Sequence, residues 1–418
     1  MVVNSGNALT LAIAALAIAG VIVRPARLPE AIWAVAGALA VVALGLVPWP
    51  DALGAVGKGL DVYLFLTGMM LLSETARREG LFDWLAVEAV LHARGSPRRL
   101  FLLVYGVGTL VTVFMSNDAT AVVLTPAVFA AAKKARLEPL PYLFICAFVA
   151  NAASFVLPIS NPANIVLYGG HMPQLLAWLK SFTLPSIVSI VVTYLLLRWR
   201  MRRALAGQVD GVPERRTLPR SAGVALAGIV LTALALIAAS FLDVRLGWPA
   251  AIGGTLTAAA VLVIERASPW PVIRHVSWSV IPLVAGLFVL VRAIEGTGLI
   301  DSVTRELIAL VQHSEALAAA VAGGSIAIAS NLMNNLPVGL IAASVLTHAQ
   351  PPLAVTDAAL IGVDLGPNLS ITGSLATILW LLAIRRDGEH VDFWRFLKIG
   401  ALVMPPALVL AIAARLLV

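Results

Sequence analysis

Eight predominantly apolar runs dominate this chain, at 8–23, 30–47, 57–74, 183–200, 221–241, 246–264, 278–295 and 395–416. Each is close to the roughly 20 residues that a helix needs to cross a bilayer. Composition agrees: of 418 residues, 60% are hydrophobic and 12% charged, against about 45–50% and about 25% in soluble proteins. The mean hydropathy is +0.95. Too few polar side chains exist to cover a soluble domain, which excludes a soluble enzyme and a disordered chain. The reading is an all-α polytopic membrane protein.

Four further runs are apolar but interrupted. Those at 141–169 and 353–384 are broken, at Pro158 to Pro162 and at Gly366 to Ser370, and read as two discontinuous helices. Those at 100–132 and 315–347 are split near the middle, leaving arms of about 14–16 residues, short of a comfortable crossing. They read as two re-entrant hairpins with polar tips.

Charge placement orients the spans, because Lys and Arg accumulate in cytoplasmic loops. Arg24 and Arg27 follow the first run, with no basic residue before it, so the run reads as a retained helix rather than a cleaved signal. Arg77, Arg78, Arg94, Arg98 and Arg99 precede the first hairpin, and Lys133, Lys134 and Arg136 follow it, so its two ends share one side. Arg198 to Arg220 forms the most basic loop. Ten crossings and two hairpins accommodate every basic loop, with both termini periplasmic in a bacterial inner membrane. The net charge of +7 is thereby an orientation signal and not a nucleic-acid footprint. Cys146 stands alone in an apolar run, which excludes a disulfide framework and a multi-thiolate metal site. No cofactor and no structural metal are indicated.

The layout repeats. Gly80-Leu81-Phe82-Asp83 and Gly298-Leu299-Ile300-Asp301 lie 218 residues apart, as do Met115-Ser116-Asn117 and Met333-Asn334-Asn335. Residues 1–200 and 221–418 read as two inverted repeats joined by a basic cytoplasmic linker, 201–220. Inverted repeats with discontinuous helices characterise secondary transporters, whose sites lie near the membrane midplane.

Polar residues concentrate at the four interruptions. The first hairpin tip carries Ser116, Asn117, Asp118 and Thr120, and the first broken helix carries Ser160, Asn161 and Asn164. The second tip carries Asn334 and Asn335, and the second broken helix carries Asp364, Asn368, Ser370 and Thr372. Non-helical backbone at this depth survives only where protein or a water-lined cavity satisfies it. The set therefore reads as a substrate site, although the same residue types also cap helix ends. Asp118 and Asp364 are expected to carry protons, because a carboxyl inside a membrane is costly and functional by default. Aligning Pro162 with Pro367 puts Ile159 opposite Asp364, and Leu336 lies opposite Asp118, so the repeat demands neither acid. No Arg or Lys stands at any interruption, which favours a neutral polyhydroxyl solute or a small cation. Lys58 with Asp61, and Arg292 with Glu295, read as local interfacial pairs. His171, His313 and His348 read as solvated on the outer side.

Three segments carry a resemblance: Phe114 to Ala121, Ser330 to Pro337 and Gly366 to Leu375. They are similar to those of the bacterial arsenite/antimonite efflux permeases, and the likeness extends over nearly the whole chain. It implies export of arsenite or antimonite from the cytoplasm, driven by proton antiport. It implies no enzyme activity in this chain, although some permeases of that family associate with a cytoplasmic ATPase subunit. Arsenite in water is an uncharged trihydroxide, and Asn, Ser and Thr suit hydrogen bonding to it. The main alternative is a sodium/proton antiporter of the same superfamily, with Asp118 and Asp364 as cation ligands. An intramembrane aspartyl protease fits poorly, since neither acid sits in the Tyr-Asp or Gly-x-Gly-Asp setting of that chemistry.

Overall fold

A computed structural model describes residues 5–169, 172–207, 211, 214 and 217–418. The described residues form helices joined by turns and short loops, without strands. The first eleven helices are α1 (Ser5–Val23), α2 (Glu30–Ala43), α3 (Trp49–Lys58), α4 (Leu60–Arg78), α5 (Leu81–His92), α6 (Pro97–Phe114), the single turn α7 (Asn117–Ala119), α8 (Thr125–Lys134), α9 (Leu140–Ala152), α10 (Pro162–Tyr168) and α11 (Leu175–Met201). The same succession returns as α12 (Arg220–Phe241), α13 (Gly247–Glu265), α14 (Trp270–His275), α15 (Val280–Glu295), α16 (Leu299–His313), α17 (Glu315–Met333), α18 (Asn335–Ala349), α19 (Leu353–Leu365), α20 (Leu375–Arg386) and α21 (Phe393–Leu416). Among the described residues, seven helices are long and apolar enough to cross a membrane, or nine when each bent pair counts as one span. The bent pairs are α3–α4, at 45°, and α15–α16, at 76°.

Local sequence sets these boundaries. Gly80 and Gly298 both adopt left-handed backbone, at φ 74° and 78°, a conformation glycine takes without steric cost. Each turns the chain from a long helix into α5 or α16. Ser96 and Ser314 then cap α6 and α17, giving ascending hairpin arms of 18 and 19 residues. These arms are longer than the sequence spacing suggests: the first helix starts at its serine cap, ahead of the apolar run, and the second continues through Asn331 to Met333. The first hairpin's return arm opens with a π-helix, Thr120–Leu124. Pro126 supplies a cause: it has no N–H to donate and its ring would clash with the carbonyl one turn earlier.

The two halves interlock. Helix α2 packs on α15, and α4 on α13, so each half's second long helix lies against the other half's third. Glycines permit these crossings. A Cβ on Gly68 would strike the Ala250 carbonyl, and one on Gly254 would strike Gly68. At the matching crossing, Gly286 meets the Ala34 backbone. Close backbone approach through small residues is a common basis of helix association in membranes. Ion pairs join distant parts of the chain as well. Lys133 pairs with Glu389 at 3.4 Å, while Arg292 pairs with Asp51 at 2.8 Å.

Substituting Gly68→Val should therefore destabilise the protein by about 1–3 kcal/mol through overpacking. Thermal unfolding in detergent, followed by size-exclusion chromatography, should show a lowered midpoint, whereas Gly54→Val, where a Cβ meets nothing, should not.

Candidate substrate and coupling site

The interruptions converge. Ser116 caps the first tip by accepting from the Ala119 N–H at 3.2 Å, and Asn117 Oδ1 accepts from the Asp118 N–H. Thr120 and Thr112 share a hydrogen bond at 2.8 Å across the hairpin. The first break is tied to this hairpin by Ser160, whose hydroxyl donates to the Val113 carbonyl at 3.0 Å. Asn164 donates to three carbonyls of the break, those of Ser154, Leu157 and Pro158.

The second tip and second break meet in the same manner. The Asn335 N–H donates to the Gly373 carbonyl at 2.9 Å, and Asn334 caps the return arm through the Leu336 N–H. Asn331 is the hub of this junction. Its amide donates to the Ala327 and Gly366 carbonyls, and its Oδ1 accepts from the Ser370 N–H and hydroxyl. Its carbonyl accepts from Thr372. Asn368 donates to the Phe148 carbonyl and accepts from Asn151 at 3.0 Å.

Asp364 occupies the crossing point. It is 0% exposed, and its Oδ1 accepts from Asn161 Nδ2 at 2.7 Å. Its Oδ2 is buried without a partner, as is Asn164 Oδ1. Helices α9 and α19 have equal length, 13 residues, and the same number of residues separates each from its half-helix, α10 or α20. The structural equivalent of Asp364 is therefore Asn151, and not the Ile159 that a proline alignment gives. Asn161 and Ser374 are likewise equivalent, each capping its half-helix and each reaching across to the other half. Asn161 reaches Asp364, while Ser374 reaches Asn151 at 3.4 Å. A carboxyl in one half thus stands where the other has an amide with three polar side-chain partners, Asn368, Thr377 and Ser374.

Two recesses flank these elements at equivalent places. The wider, about 830 Å³, is lined by the end of α15, the return arm α18 and α10, with Val166, Leu340 and Ser344 among its residues. The narrower, about 70 Å³, is lined by the end of α4, the first hairpin's return arm and α20, with Glu74, Ser116, Asp118 and Val122 among its residues. Asp118 therefore faces the narrow cleft, and among the described residues no hydrogen bond joins it to Asp364. An ion pair stands at each recess: Glu74 with Arg77, at 2.6 Å, and Arg292 with Glu295, at 3.2 Å. These positions are 218 residues apart with their charges exchanged. Glu295 also accepts from Ser344 at 2.7 Å, tying α15 to the second hairpin. Asp61 accepts from the Gly247 N–H at 2.9 Å, where the sequence suggested a pair with Lys58. His348 lines the wide recess, His313 is exposed, and His171 lies outside the described residues.

Sequence reasoning missed a second buried acid. Asp357, 0% exposed, accepts from Arg415 Nε at 2.6 Å and from the Tyr168 hydroxyl at 2.5 Å. The available signal was an acid inside the apolar run 353–384.

The crossing thus brings a buried carboxyl together with side-chain amides and hydroxyls from both halves. Replacing Asn331 with Leu strips four side-chain hydrogen bonds from the junction of second tip and second break. With each net bond worth about 0.5–1.5 kcal/mol, and the freed carbonyls left unpaired, Asn331→Leu should sharply lower detergent-stable yield, while the exposed Gln350→Leu should not.

Comparison with known proteins places this architecture. Residues 13–383 match the family model described as "Citrate transporter". An uncharacterized transporter of Mycobacterium tuberculosis is 24% identical over 408 residues, covering 94% of each chain. Arsenical pump membrane proteins of Yersinia enterocolitica and Escherichia coli are 26% and 24% identical over 361 and 359 residues, covering 83% of each chain. Among solved structures, the YdaH transporter of Alcanivorax borkumensis shares the fold, with TM-score 0.57 and 15% identity over 87% of this chain and 86% of that one. Interrupted helices and polar tips that meet across two like halves are thus those of a membrane carrier, and the chain belongs to the citrate transporter family.

Proposed function

We propose that this carrier exports arsenite or antimonite, as the neutral hydroxide, across a bacterial inner membrane in exchange for protons. The observation that carries this reading is Asp364, a fully buried carboxyl with one oxygen unpartnered, at a crossing that has no Arg or Lys. A citrate-like anion of several charges would call for basic partners at the same place. The names of the arsenical relatives support the substrate class. Residues 1–200 and 221–418 act as the inverted repeats, with 201–220 and the other basic loops in the cytoplasm and both termini outside.

By that orientation the wide recess faces outward and the narrow cleft inward. Two equivalent cavities of unequal size, about 830 and 70 Å³, fit a carrier caught open to one side. Hairpins and half-helices move against the interlocked α2–α4 and α13–α15. A proton from outside neutralises Asp364 or Asp118 and favours the inward-open state, and substrate loads as the proton leaves. Asn161, bonded to Asp364, Asn164, with its open oxygen, and Ser116, beside Asp118 in the cleft, would take the first hydrogen bonds to the solute. Asn117, Thr120, Ser160, Asn334, Asn335, Asn368, Ser370 and Thr372 hold the surrounding backbone and complete the site.

A sodium/proton antiporter is the second reading, favoured by the two unpartnered oxygens of Asp364 and Asn164, which would suit a hard cation. Arsenite uptake into everted vesicles under an imposed pH gradient separates the two. Arsenite export predicts gradient-driven uptake, lost by at least tenfold in Asp364→Asn and reduced in Asp118→Asn. Unchanged uptake in both variants would defeat their proton role, and sodium-dependent collapse of the gradient without arsenite would support the alternative.

A further inference from the structure

The half-helix α10 is fastened to α19 at both ends. At its start Asn161 donates to Asp364 at 2.7 Å, and at its finish Tyr168 donates to Asp357. The partners are seven residues apart on each side, as two antiparallel helices in register require. Asp357 is in turn held by Arg415 of α21 at 2.6 Å, and both charges are more than nine-tenths buried.

The other half shows that the fold does not need this cluster. Counted from the helix starts, Phe144 stands where Asp357 does and Leu197 where Arg415 does, both buried. There Phe144 packs on Trp380 with ring centroids 5.5 Å apart. Buried ion pairs are often no more stabilising than apolar side chains of similar volume, and this protein contains both solutions at equivalent places. A charged cluster kept in one half only, on the helix that bears Asp364, calls for a reason other than stability.

We propose that Asp357, held by Arg415 and Tyr168, is a positioning residue for transport, fixing the far end of α10 so that Asn161 stays on Asp364. The fixed end serves as the pivot when the Asn161–Asp364 bond opens. The proposal rests on reading Asp364 and Asn161 as the coupling and substrate site. It assigns Tyr168, Asp357 and Arg415 no contact with the solute.

Two measurements on the full-length carrier test it. In everted vesicles, Tyr168→Phe should raise the arsenite KM about 5-fold, as the loss of one hydrogen bond to a charged group allows. Vmax per folded carrier should stay within about 2-fold. Combined with Asn161→Ala, the effects on KM should fall well short of additive, as coupled residues do. The second measurement needs no substrate. In a Cys146→Ala background, which removes the sole and buried thiol, Val166→Cys on α10 reports through its reaction with a membrane-impermeant maleimide. Tyr168→Phe should speed that labelling several-fold.

The pair Asp357→Phe with Arg415→Leu, which copies the first half, should accumulate folded and reproduce both changes. Normal KM and normal labelling in folded variants would overturn the proposal, as would strictly additive effects. Loss of stability in Asp357→Phe/Arg415→Leu with unchanged labelling in Tyr168→Phe would reduce the cluster to a structural one. Absence of arsenite uptake by the unmodified carrier would sink the arsenite reading, while the labelling rates would still decide the role of Asp357.

Discussion

A helix that stops inside a membrane must find partners for the backbone groups it leaves open, and that demand organises this protein. Each unsatisfied N–H or C=O in a water-free setting costs several kcal/mol. Asn164 answers three carbonyls of the first break, Asn331 answers two in and beside the second, and Asn368 reaches back to α9. These side chains are therefore committed before any substrate arrives. What remains uncommitted is small and specific: one oxygen of Asp364, one of Asn164, and the Ser116–Asp118 side of the narrow cleft.

The near-symmetry of the two halves gives each departure from it a meaning. Where one half has Asn151 in a saturated amide network, the other has Asp364. Where one has Phe144 and Leu197, the other has Asp357 and Arg415. The ion pairs beside the two recesses occupy matching places with their signs exchanged. A chain that needed only to fold could have kept the amide and the apolar packing twice. Two of the departures, Asp357 and Asp364, share one helix, α19.

The spans, hairpins and breaks were legible because each rests on a local signal: an apolar run, a glycine or proline, a cluster of arginines. The meeting of tips and breaks came only with the family resemblance, since Ser116, Asn117, Asn334 and Asn335 mark the tips without naming what they touch. Partnerships were not. Tyr168 and Asp357 are 189 residues apart in sequence, and nothing near either one specifies the other. Arg415 stands at the end of the last helix, yet it turns inward to Asp357. The proline alignment misplaced Asp364's counterpart because prolines occupy different steps of the two breaks, whereas α9 and α19 keep one length.

The crossed packing of α2 on α15 and α4 on α13 bears on how the protein is made. When the first half has left the ribosome, the groove at Gly68 has no occupant, because α13 is not yet synthesised. The early helices must wait in the lipid as loosely associated segments, and their final contacts form only with the second half in place. Severing the chain in the basic linker should therefore give two fragments that assemble when co-expressed but that individually lack half of their closest helix neighbours. The interlock makes the carrier a single assembly unit, however clearly its sequence reads as two.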